Sequence, residues 1–137
     1  MRNYILSILF LLTLSGCGPG LQIDQSISDF RDVKEKVSLG DSKQKFLDTV
    51  YSSQLDLGSE YKKDPERYIK EGVKVEIYFM RSSRQPDDLT TDDEFTPYLF
   101  NDKILVGIGW TVLGGLSTQG QSSSDVYISN TNKTIIY

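Results

Sequence analysis

Hydrophobic positions change their spacing along this chain, and each change marks a predicted element. Tyr4 to Leu14 is an apolar run broken only by Ser7 and Thr13. From Gly18 to Ser28, Gly, Pro and polar residues surround scattered Leu21, Ile23 and Ile27, a composition that predicts a tether over residues 17–28. From Asp29 the period becomes helical. Phe30, Val33 and Val37 recur at three and four, with Arg31, Asp32, Lys34, Glu35 and Lys36 between them. Asp41 followed by Gln44 has capping-box spacing, and Phe46, Leu47, Val50 and Tyr51 share one face, so a second helix is expected near 42–52. Asp64-Pro65 supplies an N-cap acceptor and a first-turn proline, which predicts a further helical turn over Glu66 to Glu71, ended by Gly72.

The second half switches to period two. Val73, Val75, Ile77 and Phe79 alternate with Lys74, Glu76 and Tyr78, the pattern of a strand with one buried face. Phe95 to Phe100 and Ile104 to Val112 predict two more strands, joined through Asn101-Asp102, which tolerates the positive φ of a tight hairpin. Pro97 lacks an amide hydrogen and is expected at an edge or bulge. The Ile104 to Val112 strand is the most apolar of the three and is expected at the centre of the sheet. Gly114 and Gly115 end it, and Ser117 to Ser124 is a Ser/Gln/Gly tract expected to be disordered. Val126, Ile128, Ile135, Ile136 and Tyr137 leave room for a short terminal strand or hairpin. The predicted fold class is α+β: two N-terminal helices packed on a three-stranded antiparallel sheet over residues 29–115, with a flexible tail over 116–137.

The residues on either side of the N-terminal apolar run give it a meaning. Arg2 precedes it, Ser15-Gly16 supplies small residues, and Cys17, the single cysteine, closes Leu14-Ser15-Gly16-Cys17. The run spans about eleven residues, whereas a membrane-crossing helix needs roughly twenty. Residues 1–16 therefore read as a signal peptide, with Cys17 as the lipid attachment site. A lone thiol makes no intramolecular disulfide. With no histidine in the chain, the commonest general base and metal ligand are both missing.

Charge narrows the partners. The net charge is −4, and removing residues 1–16 takes away one basic and no acidic residue. A mildly acidic chain without clustered Lys and Arg does not suit nucleic acid. The segment 81–94 concentrates charge: Arg81, Arg84, Asp87, Asp88, Asp92, Asp93 and Glu94. It lacks the Asp-x-Asp-x-Asp-Gly spacing of a Ca²⁺ loop, so it reads as a solvated connection between strands that presents a partner-binding surface. Trp110 joins these residues as a candidate contact. Carboxylates clustered on one polar loop do not flank a sugar bond as a glycosidase requires. No catalytic residue, cofactor or metal is expected, and the chain is not expected to be an enzyme.

Three features coincide: the Leu14-Ser15-Gly16-Cys17 run, a Leu39-Gly40-Asp41-Ser42-Lys43 turn opening a helix, and a strand meander containing Thr96-Pro97-Tyr98-Leu99-Phe100-Asn101-Asp102-Lys103-Ile104-Leu105. Together they resemble the small outer-membrane lipoproteins of the SmpA/OmlA (BamE-like) type. The fold implied is two helices on a three-stranded antiparallel sheet, an arrangement shared with a β-lactamase inhibitor protein. Asp41 stands where that family carries a methionine, and no proline closely follows Leu57-Gly58. The resemblance implies acylation of Cys17 and outer-membrane anchoring on the periplasmic face, which Gly18 (not Asp) after the cysteine also favours. It implies a scaffold or accessory role beside an envelope protein. The alternative is a small inhibitor or ligand-binding lipoprotein whose acidic 81–94 loop enters a basic cleft.

Overall fold

The computed structural model describes residues 18–87 and 89–117. The signal segment, Cys17, Asp88 and, beyond Ser117, the predicted tail lie outside the described residues. Among the described residues the fold is α+β, with two helices and a four-stranded antiparallel sheet.

Helix α1 spans Pro19–Val33, so most of the predicted tether is helix. Gly18 stands at its N-cap and Pro19 at its first position, where a missing amide breaks no helical bond. Ile23, Ile27 and Phe30, spaced four and three apart, form its buried stripe. A 3₁₀ turn, Lys34–Lys36, tightens its end. Helix α2 spans Lys43–Thr49 and is capped by Ser42, whose Oγ accepts from Lys45 N–H at 3.2 Å. Asp41, the expected cap, instead accepts from Ser38 N–H and Lys45 Nζ, each at 2.8 Å. The Lys45 bond and then the Ser38 bond hold the Asp41 carboxyl below its ordinary range.

The strands are β1 (Glu66–Lys70), β2 (Val73–Arg81), β3 (Phe95–Asn101) and β4 (Ile104–Ile108), paired in chain order. The predicted helical turn at Asp64-Pro65 is therefore a strand. Glu71 and Gly72 carry φ of 51° and 82°, and Lys70 pairs with Val73, which makes a two-residue hairpin with both central residues left-handed. Pairing along β2 outweighs the helix-start signal. The β3–β4 hairpin turns on Asp102 (φ 45°) and Lys103 (φ 71°), one residue later than expected.

β4, expected at the centre, is an edge strand, and Ile104, Val106 and Ile108 stay exposed. It is shorter than expected because Gly109 turns the chain at φ 89°. Trp110–Leu113 then fold back as a 3₁₀ turn. Pro97 lies on β3, which is paired on both sides. Its carbonyl accepts from Gly109 N–H at 2.8 Å, just past the end of β4. A residue's N and C=O point to the same side of an antiparallel strand, so the missing amide faces a place where the ladder has already stopped.

Each sheet face carries an apolar cluster. On one, Tyr78, Met80, Tyr98, Phe100 and Leu105 pack with Phe30, Val37, Phe46 and Val50. Phe46 is wholly buried, with the rings of Tyr98, Phe100 and Tyr78 at 4.9, 5.1 and 5.5 Å. On the other, Ile77, Phe79 and Phe95 pack with Leu99, Trp110 and Leu113. A third cluster joins Ile23 and Ile27 of α1 to Leu57 and Tyr61.

Candidate functional site

The charged segment 81–94 is stitched into the fold. Arg81 and Glu94 are buried, at 3% and 0% exposure, and paired at 2.7 Å. Glu94 also accepts from Gln85 N–H at 2.8 Å and Thr91 N–H at 3.2 Å, the latter completing a capping box with Thr91. Arg81 donates to the Tyr61 carbonyl at 3.0 Å. Its buried Nε has no hydrogen-bond partner among the described residues, and the guanidinium lies over the Phe95 ring at 5.4 Å. Gln54 brackets the Arg81 backbone, donating to its carbonyl and accepting from its N–H, in place of a strand neighbour.

Asp92 is buried and paired with Lys63, and accepts from Ser117 N–H at 3.0 Å. The Lys63 ammonium lies over the rings of Phe79 (4.3 Å) and Trp110 (5.1 Å). Trp110 stacks on Phe79 and donates to the Phe95 carbonyl at 2.7 Å. Asp93 accepts from Gln85 Nε2 and Thr91 Oγ1. Asp87 accepts from Leu89 N–H at 3.1 Å. Arg84 stays half-exposed, 3.7 Å from Asp24 of α1. The expected solvated loop is thus corrected: Arg81, Asp92, Glu94 and Trp110 hold the second sheet face together. An isolated carboxylate belongs in water, but these have their cations and amide donors inside the fold.

Glu76 of β2 faces the helices. It accepts from Lys43 at 2.6 Å and from Arg67 and the Tyr78 hydroxyl at 3.2 and 3.3 Å. Burial pushes its carboxyl up, but the bonds from Lys43 and Arg67 outweigh that and hold it below its ordinary value. Lys43 is the mirror case: burial lowers it, and the Glu76 and Tyr78 contacts hold it above its ordinary value. Burial, with Glu35 adding to it, pushes the Tyr98 hydroxyl up to about 12.

The surface left open lies elsewhere. The outer edge of β4 is covered by residues 40–43: Gly40 N–H donates to Leu105, Leu105 N–H to Asp41, and Lys43 N–H to Lys103. Among the described residues nothing pairs with the outer edge of β1, all five of whose residues are exposed. Tyr68 and Ile69 are 47% and 71% exposed there. Beside Tyr68, on the face away from the helices, opens a groove of about 470 Å³ lined by Val73, Val75, Leu99, Val112 and Leu113. Lys70 and Glu71 are its only charged side chains. With Asn101 also in the lining, the groove offers mixed polar and apolar contacts beside an edge that offers backbone pairing. The sequence carried a signal for it: Arg67 to Lys70 and Val73 to Phe79 flank Glu71-Gly72, two strand-like runs across a two-residue turn.

Among the described residues no three His, Cys, Asp or Glu come together to hold a metal ion, and no helix is long and apolar enough to cross a membrane.

Comparison with known protein families, curated proteins and solved structures finds no match.

Proposed function

We propose that this chain is a lipid-anchored envelope protein whose small domain binds a protein partner by strand addition at β1. Cys17 carries the lipid, the outer membrane holds it on the periplasmic face, and the domain serves as scaffold or accessory subunit in outer-membrane assembly or maintenance. The Leu14-Ser15-Gly16-Cys17 run and the resemblance to SmpA/OmlA-type lipoproteins support the anchor and the location. The finer likeness to the BamE-like arrangement belongs to the same proposal, with β1 as an added fourth strand.

The observation that carries the interaction reading is the unpaired edge of β1 beside a groove in which Lys70, Glu71 and Asn101 accompany the apolar side chains. A sheet edge offers a row of backbone donors and acceptors that can pair with another strand, and on β1 the charged Glu66, Arg67 and Lys70 flank the exposed Tyr68 and Ile69. An extended partner segment would complete the ladder while its alternate side chains enter the groove between Tyr68 and Val112.

Photocrosslinking from position 69 in whole cells, with mass spectrometry of the envelope fraction, tests this. The expected result is one recurrent envelope partner, lost in Tyr68→Lys while Trp110 fluorescence stays native. Recovery of the lipoprotein alone would overturn the interaction reading. Separately, Cys17→Ser should lose its acyl group and leave the membrane fraction.

A further inference from the structure

The early start of α1 changes how a lipid at Cys17 would hold the domain. A twelve-residue tether would let the domain tumble away from the bilayer. Instead, Pro19 is the first helical residue, and two peptide units separate it from Cys17, a reach of at most about 7 Å. The helix that begins there is not a detachable arm. Ile23 and Ile27 are buried against Leu57 and Tyr61, and Phe30 lies in the main core.

Two exposed leucines lie around this end, among polar neighbours that include Arg84 and Asp24. Leu21, two residues before Ile23, lies about 200° around the helix from it, so burying one turns the other outward. Leu21 is 61% exposed. The segment carrying Leu89, 51% exposed, closes on the same end: Leu89 lines a small cavity with Gly20 and Ile23, and Arg84 reaches Asp24. The first turn of α1 carries no acidic residue.

We infer that the start of α1, with Leu21 and Leu89, is a membrane-docking surface that seats the domain directly on the bilayer holding its anchor. The occupant is the lipid interface, because a lipid-bearing residue within about 7 Å of Pro19 keeps the start of α1 beside the bilayer. The far end of the β1–β2 hairpin then points away from the membrane. Val73 and Arg81 are eight residues apart along β2, which places Lys70 about 26 Å from the cavity that Arg81 shares with Leu89. The open β1 edge would therefore be presented outward. This inference rests on the reading of Cys17 as the lipid attachment site.

The test uses the full acylated chain. With Cys17 blocked by lipid, Leu21→Cys, Leu89→Cys and Lys70→Cys each provide one free thiol for an environment-sensitive fluorophore. The labelled proteins are reconstituted into phosphatidylethanolamine/phosphatidylglycerol vesicles containing lipids brominated near the headgroup. Labels at 21 and 89 should shift to the blue and be quenched, and the label at 70 should do neither. No quenching at 21 and 89, or equal quenching at all three, with an acylated N-terminal peptide recovered by mass spectrometry, overturns the docking surface and leaves the anchor standing. An unacylated Cys17 overturns both.

Discussion

Replacing Glu94 by Gln asks whether the 81–94 segment is held by a desolvated ion pair or merely lies on the surface. The Glu94 carboxylate is 0% exposed and receives Arg81 and two backbone amides at 2.7–3.2 Å. Glutamine keeps the shape and one acceptor oxygen but leaves the Arg81 charge, itself 3% exposed, without a counterion. Removing one partner of a buried pair costs about 3–5 kcal/mol. Domains of this size are stable by only about 5–15 kcal/mol, so the loss is a large share of the total. With a urea slope of about 1–3 kcal/mol per molar, the midpoint should fall by about 2 M. Trp110 is the only tryptophan, and it stacks on Phe79, so its fluorescence reports unfolding next to the pair. Adding Arg81→Met to Glu94→Gln removes the stranded charge and should recover part of the loss. A Glu94→Gln midpoint within about 0.5 M of wild type, or a double variant less stable than the single one, would refute the reasoning.

Phe46→Ala should cost about 3–5 kcal/mol in the same titration, because Phe46 is wholly buried at the meeting of four aromatic rings. Lys103→Gly should raise stability by about 0.5–1 kcal/mol, since Lys103 sits at φ 71° in a two-residue hairpin that prefers Asp-Gly. A loss on that substitution would argue against the turn. On the acid side, the depressed carboxyl of Glu76 contributes stability that is full above its ordinary value of 4.5 and fades as pH falls through its lower folded value; Glu76→Gln should flatten that limb of a stability–pH profile. On the alkaline side, Tyr98 contributes stability that is present below pH 10 and lost as pH rises toward about 12, so Tyr98→Phe should remove that slope.

Much of the fold was legible because hydrophobic spacing is local. Phe46 and Val50 at a helical interval, and Val75, Ile77 and Phe79 at alternation, name their elements without reference to the rest of the chain. The likewise local signal of α1, Gly18-Pro19 ahead of Ile23, Ile27 and Phe30, was masked by the linker-like composition around it. Glu66 to Lys70 carried two opposed local signals, a helix start at Asp64-Pro65 and a hairpin turn at Glu71-Gly72. Pairing with β2 decided between them.

By itself, the sequence determined that no disulfide forms within the chain, that imidazole chemistry is absent, and that helices precede an antiparallel sheet. Tertiary structure alone decided which strands lie at the edges and what the charged loop does. Glu94 meets Arg81 across 13 residues, and Asp92 meets Lys63 across 29. The solvation of a carboxylate depends on what the whole chain brings to it, and no local pattern of residues records that.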